Sequence, residues 1–301
     1  ILALRFLQGI GAAGTRVIAL AAVRDTHAGR SMAATMSLVM MVFMAIPVIA
    51  PLAGQAIILV APWRYIFDFM AFLAAVMTLW CAFRLQETLD PANRRALTMR
   101  SVAQGFRLVV SNRISLCYTL ATAFFFGSLF GFLNTAQPIY VEIYGLGAAF
   151  PFAFGSVAIL MAVTSFLNSR IVERFGMRRL SHGALIAYLA LSVLALIVFS
   201  AMPVPFWLFL TMVALIMPLF GLVGANFNSI AMEPLGKVAG TASSVLGFTQ
   251  TVGGGLTGAV IGQAYDGTIV PIAAGFVVLS GISLVFVLIA EKGKLFGVSP
   301  Y

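Results

Sequence analysis

Charge is the scarcest thing in this chain. Only 9% of its 301 residues are Asp, Glu, Lys or Arg, where an ordinary soluble domain carries roughly 25%. That is too little to cover a surface facing water, and the mean hydropathy of +1.06 agrees. Acids are scarcer than bases, 9 against 18, and there are 2 histidines and 2 cysteines. Cys81 and Cys117 fall in or beside apolar runs, where they read as small hydrophobic residues and not as a disulfide framework. His27 and His182 have no partners at metal-ligand spacing. No glycine-rich phosphate loop leads into Lys and Ser or Thr, which argues against ATP drive within this chain. These absences argue against an enzyme, a metal centre and a bound cofactor.

Apolar residues are what remains, 61% of the chain. They come in runs of about 20, the length that a ~30 Å hydrocarbon core requires of a helix. In lipid every backbone polar group must be satisfied internally, so only helices or closed barrels span. A barrel would show strands of about 10 residues with alternating polarity. The fold class expected is therefore an all-α membrane protein. Nine spans fit, near 1–23, 36–60, 65–83, 114–139, 149–169, 182–201, 206–231, 241–264 and 269–289.

The net charge of +9 would suggest nucleic acid in a soluble protein. Here the loops account for it, and no nucleic-acid partner is expected. With these spans, Arg24, Arg30, Arg84, Arg94, Arg95, Arg100, Arg107, Arg113, Arg170, Arg174, Arg178, Arg179, Lys237, Lys292 and Lys294 all fall on one side. Arg64 alone falls on the other. Basic loops are retained in the cytoplasm, so the first span starts outside and the C-terminus lies inside. The chain opens with Ile1, already within an apolar run. The expectation is a native N-terminus further upstream, with three more spans in about 100 residues, for twelve in all.

The polar stretch 84–113 divides the spans into three and six. It contains the turn signal Asp90-Pro91. Met99 to Val110 is amphipathic, with Val102, Phe106, Val109 and Val110 against Arg100 and Arg107. It reads as an interfacial helix on the inner leaflet, or as a solvated loop. The expected organisation is 1–83 as three helices of an N-terminal six-helix bundle, 84–113 as a cytoplasmic linker loop, and 114–301 as a C-terminal six-helix bundle with a short tail. A transporter of two pseudo-symmetric halves, cut after its third span, has this pattern.

Arg5 and Arg16 lie inside the first span, eleven residues apart and so on one helical face, with Gln8 near the stripe. An arginine at membrane depth is kept for a cavity or a partner, unless it snorkels to the interface. Glycines recur at helix-packing spacing, as in Gly254, Gly258 and Gly262, or Gly127 and Gly131. Pro47 and Pro51 sit within the second span, and each removes an internal hydrogen bond. The fourth span is aromatic, with Phe126 among its phenylalanines and with Asn134 and Gln137 three apart on one face. Asn226 and Gln250 add amides to later spans. Aromatic walls with a few amides suit a broad pocket for a small molecule. Interhelical hydrogen bonding is the ordinary alternative for each amide. No acid falls at mid-depth.

Several of these residues resemble a known family. Arg5, Gln8, Gly9, Gly11, Ala12 and Ala13 match the fourth-helix signature of major facilitator drug/proton antiporters. Arg24-Asp25 stands where the bicyclomycin- and chloramphenicol-resistance (Bcr/CflA) subgroup places such a pair. Pro47-Val48-Ile49-Ala50-Pro51-Leu52-Ala53-Gly54-Gln55 resembles the fifth-helix antiporter signature, with Ala50 and Gln55 in place of glycines. Glu173-Arg174-Phe175-Gly176-Met177-Arg178-Arg179 resembles the basic gating-loop motif as it recurs in the second half, and Gly240 to Phe248 is similar to the eleventh helix.

The resemblance implies a twelve-helix major facilitator fold in a bacterial inner membrane. It implies export of small, mostly lipophilic compounds in exchange for protons, with no cofactor beyond the proton gradient. Alternating access would rock two helical bundles around a midplane site. Arg5 would couple, with Arg16 near it on the depth argument alone. Pro47, Pro51 and Gly54 would shape a bend, and Glu173, Arg174, Arg178 and Arg179 would latch the cytoplasmic gate. The expected partners are substrate, protons and lipid, and the chain is expected to be monomeric. Transport of a polar metabolite, and a non-transporting truncated membrane protein, are the alternatives.

Overall fold

A computed structural model describes residues 3–4, 6–12, 15, 46, 49–50, 53–85, 103, 106–107 and 109–297. The chain divides into two compact units, Ile1–Ala96 and Leu97–Tyr301. In the first unit, residues 53–60 are helical and are followed by the helix α1, Tyr65–Arg84. The turn between them carries Trp63, with the Arg64 guanidinium 5.1 Å from its ring centroid. A cation on an aromatic ring suits the polar boundary of a membrane.

The second unit is built from long apolar helices. α2 is Arg113–Gln137, α3 is Phe150–Phe175, α4 is Met177–Ala201, α5 is Phe206–Ile216, α6 is Leu219–Met232, α7 is Ala239–Gln263 and α8 is Val270–Ala290. Six stretches among the described residues are long and apolar enough to cross a membrane: Tyr65–Arg84, Arg113–Ile143, Gly147–Val172, Met177–Ala201, Phe206–Leu235 and Val270–Ala290. α7 stands where the eighth span is expected, but glycine and threonine dilute its hydropathy and it falls outside that set.

Local chemistry sets the ends of these helices. The Asn112 side chain accepts the Ser115 N–H at 3.0 Å and caps α2. α2 does not stop at Pro138. The chain continues as one π-helical turn over Pro138–Ile143, four residues past the expected end. The break expected between the fifth and sixth spans shrinks to a single residue. Gly176, at φ +81°, ends α3 and starts α4, a conformation that only glycine adopts cheaply. The seventh span is two helices in series, parted at Met217-Pro218. Proline has no N–H for the helical ladder, and the Thr164 hydroxyl of α3 reaches the freed region by donating to the Pro218 carbonyl at 2.8 Å.

α2 is the central helix of this unit and packs against α6, α7 and α8. Its approach to α7 needs glycine. A Cβ on Gly258 would lie 2.4 Å from the Phe130 Cβ and 2.8 Å from the Gly131 nitrogen. Small residues on both helices bring the backbones together. Against α6 and α4 the core is aromatic, with Phe125 stacked on Phe220 at 5.1 Å and edge-on to Tyr188 at 4.9 Å. Ser283 of α8 donates to the Ala121 carbonyl of α2 at 3.0 Å. Near the linker, Val109 is buried in this core and the Phe106 ring meets Phe248 edge-on. That end of the amphipathic segment therefore packs on protein, where lipid contact was the expectation. Asp266 caps the turn between α7 and α8. Its hydrogen bonds from Thr268, chiefly from the hydroxyl, hold its carboxyl below the usual range.

Candidate functional site

Three charged residues of the second unit, Arg178, Glu233 and Glu291, converge at the end where α3 meets α4. Because Gly176 is the whole connection, Arg178 sits in the first turn of α4 and enters the bundle. It is only 4% exposed. Its Nη2 lies 3.0 Å from Glu233 Oε2, and its Nε donates to Glu291 Oε1 at 2.8 Å. Glu233 follows α6 and Glu291 follows α8, so one guanidinium ties together three helix ends. A planar fork with several donors can serve two carboxylates at once.

Two further residues complete the cluster. The Tyr118 hydroxyl of α2 donates to Glu291 Oε1 at 2.8 Å. It also lies 2.7 Å from His182 Nε2. On the other side of the imidazole, the Phe296 N–H donates to Nδ1 at 3.1 Å. Tyr118 and His182 are both fully buried. Glu291 Oε1 thus faces two donors, the Tyr118 hydroxyl and Arg178 Nε, as a partly buried charge requires.

The expected gate residues are distributed unevenly around this cluster. Arg178 is at its centre. Arg174 is exposed, 5.6 Å from the ring centroid of the adjacent Phe175, and Arg179 is exposed. The side chain of Glu173 lies outside the described residues. The partners of Arg178 are thus Glu233 and Glu291, which lie outside the motif that pointed to Arg178.

The amides expected to line a cavity fall into two groups. Asn134 and Gln137 are exposed in the second unit, and Asn134 also donates to the Gly258 carbonyl at 3.2 Å. Asn226 is buried and donates to Asn168 Oδ1 and to the Leu222 carbonyl, both at 2.8 Å. Gln250 is buried and donates to Asn228 Oδ1. Asn226 and Gln250 therefore cross-link helices, the ordinary role weighed for them. Phe126 packs edge-on to Phe220 at 4.9 Å and leaves no room for a Cβ on Gly254. Asn168, Asn226 and Ser229 also border an open groove of about 420 Å³ beside Gly176 and Met177.

In the first unit, Gln8 and Gly54 are helical. Arg5, Arg16, Pro47 and Pro51 lie outside the described residues. Among the described residues, no three His, Cys, Asp or Glu side chains converge in a way that could hold a metal ion.

Sequence reasoning missed Tyr118, His182, Glu233 and Glu291 as one site. A signal was available, because each lies at a span end on the side that carries the basic loops, where a polar group must find water or a partner. Which partner it finds is set by helix packing.

Comparison with known proteins adds an independent line. A family model described as Major Facilitator Superfamily matches residues 1–258. A protein of Haemophilus influenzae named as a bicyclomycin resistance protein homolog is 30% identical over 270 residues, which is 89% of this chain and 68% of that protein. A Bacillus subtilis protein named as an uncharacterized MFS-type transporter, YdgK, is 28% identical over 281 residues, 91% of this chain and 68% of that one. The Klebsiella pneumoniae multidrug resistance protein MdtL is 29% identical over 302 residues, 97% of this chain and 72% of that protein.

Proposed function

The chain belongs to the Major Facilitator Superfamily, in its bicyclomycin-resistance (Bcr/CflA) branch, and from that premise we propose that it exports small, mostly lipophilic compounds from the cytoplasm in exchange for protons. The observation that carries this reading is the similarity, along most of the chain, to proteins named for bicyclomycin and multidrug resistance. The aromatic α2, with Asn134 and Gln137 left exposed on it, supports a weakly polar substrate. The site is a bacterial inner membrane, with the basic helix ends and the C-terminus on the cytoplasmic side.

Transport would proceed by alternating access. Arg5 is the coupling residue in this reading, with Arg16 on the same face. A buried guanidinium stabilises the ionised form of an acid near it and releases the acid's proton. Pro47, Pro51 and Gly54 supply the bend of their helix. Arg178, held by Glu233 and Glu291, is the anchor of the cytoplasmic gate, and the exposed Arg174 and Arg179 flank it. No cofactor takes part; the proton gradient supplies the free energy.

The test is transport of a lipophilic fluorescent cation in inverted membrane vesicles with an imposed pH gradient. Uptake should follow an acid interior and collapse with a protonophore. Arg5→Ala should insert normally and lose at least about tenfold in gradient-driven uptake, about 1.4 kcal/mol in coupling. Uptake indifferent to the gradient would refute proton exchange. Wild-type uptake by Arg5→Ala would refute the coupling role.

A further inference from the structure

The tail beyond α8 folds back onto the charge cluster, and the hydrogen-bond directions there are not free. Tyr118 has one proton, and it goes to Glu291. The 2.7 Å contact between the Tyr118 oxygen and His182 Nε2 therefore needs its proton from the imidazole. Nδ1 must carry a lone pair, because the Phe296 N–H donates to it. His182 is thus a neutral imidazole held as the Nε2–H tautomer. The tail is placed with care. Phe296 is one of two non-glycine residues among the described ones at positive φ, +64°, and its ring lies edge-on to His182 at 5.9 Å. A bulky residue in that region needs contacts that hold it there.

We propose that the C-terminal tail sets the direction of the Tyr118 hydroxyl and thereby clasps the Arg178–Glu291 pair. With the tail docked, the chain of donors runs one way, from His182 Nε2–H to the Tyr118 oxygen and from Tyr118 O–H to Glu291. With the tail away, Nδ1 loses its donor and the other tautomer becomes available. Nε2 is then an acceptor, and it competes with Glu291 for the one Tyr118 proton. Glu291 loses a donor, and its hold on Arg178 weakens. No bond is made or broken; one proton moves between the two ring nitrogens through solvent. The charged groups around the imidazole are Arg178 on its own helix, Glu291 after α8 and, through Arg178, Glu233 after α6. Tyr118 faces it from α2, and Lys292 and Lys294 of the tail are exposed. His182 and Tyr118 are positioning residues, acting on the gate through Glu291. The consequence for transport rests on the gate reading above, but the clasp itself does not.

The chain has 2 histidines, so His27→Asn leaves one imidazole to observe. ¹⁵N-histidine solid-state NMR of that variant of these 301 residues in lipid should show His182 protonated at Nε2 only. Phe296→Pro removes the N–H, and a Nδ1–H population should appear. Phe296→Gly keeps the N–H and should stay with the parent spectrum. From the opposite direction, Tyr118→Phe should raise amide exchange of residues 294–297 about tenfold, the effect of one lost hydrogen bond, although the Tyr118 hydroxyl reaches the tail only at Glu291. A parent spectrum with Nδ1–H, an unchanged spectrum in Phe296→Pro, or unchanged exchange in Tyr118→Phe would each overturn the clasp. None of these readouts involves transport, so failure of the clasp and failure of drug/proton exchange are separately visible.

Discussion

At the residue scale, Arg178 has the most to lose. It is buried, and two carboxylates depend on it. Arg178→Ala would remove the guanidinium that both acids face. Removing one partner of a buried pair costs about 3–5 kcal/mol. The melting temperature of the purified protein in detergent should fall by several degrees. Arg178→Lys keeps the charge but not the fork. It should retain one contact at most and fall between wild type and Ala. The motif pointed to Arg178 by resemblance, but its partners were not legible. Glu291 lies 113 positions away, and no helical spacing connects residues on different helices.

At the scale of elements, the α2–α7 contact decides how tightly the second unit packs. Its glycines differ in what they permit. On Gly258 a methyl group would meet the Phe130 Cβ and the Gly131 backbone, neither of which can swing aside. Gly255, on the same helix, has nothing within 4 Å of the position a Cβ would take. Gly258→Ala should therefore cost about 1–3 kcal/mol through overpacking, and Gly255→Ala should cost little. Thermal melts of the two variants side by side separate close packing from glycine content. Equal melts would show that the helices can slide apart at no cost. The four-residue glycine spacing was visible in the sequence. Which glycines bear the contact was not, because spacing marks a helix face and not its neighbour.

For the whole molecule the open quantity is orientation. The proposed topology has the α3–α4 end and the tail in the cytoplasm and Asp266 outside, on the strength of the basic loops. Cys81 is exposed and Cys117 is buried, and a background with Cys81→Ser and Cys117→Ala clears the way for labelling. In right-side-out vesicles, Asp266→Cys should react with a membrane-impermeant maleimide. Lys294→Cys should react only after the membrane is opened. The reverse pattern would invert the topology and, with it, the assignment of the gate.

The sequence by itself determined the solvent, the helical class and the family. Each rests on a property that a linear chain carries without folding. Scarce charge and apolar runs of membrane length leave helices as the backbone's way to satisfy itself, and the signature residues lie close together in sequence. Only the tertiary structure decided that a single glycine joins α3 to α4, that α5 and α6 are separate helices, and that Asn226 and Gln250 cross-link helices. It alone joined Tyr118, His182, Arg178, Glu233 and Glu291 into one cluster. The physical reason is that each of these residues needs a partner to lie buried, and a hydrogen bond has a range of about 3 Å. Which donor comes within that range depends on how the helices pack, and helical periodicity describes only one helix at a time.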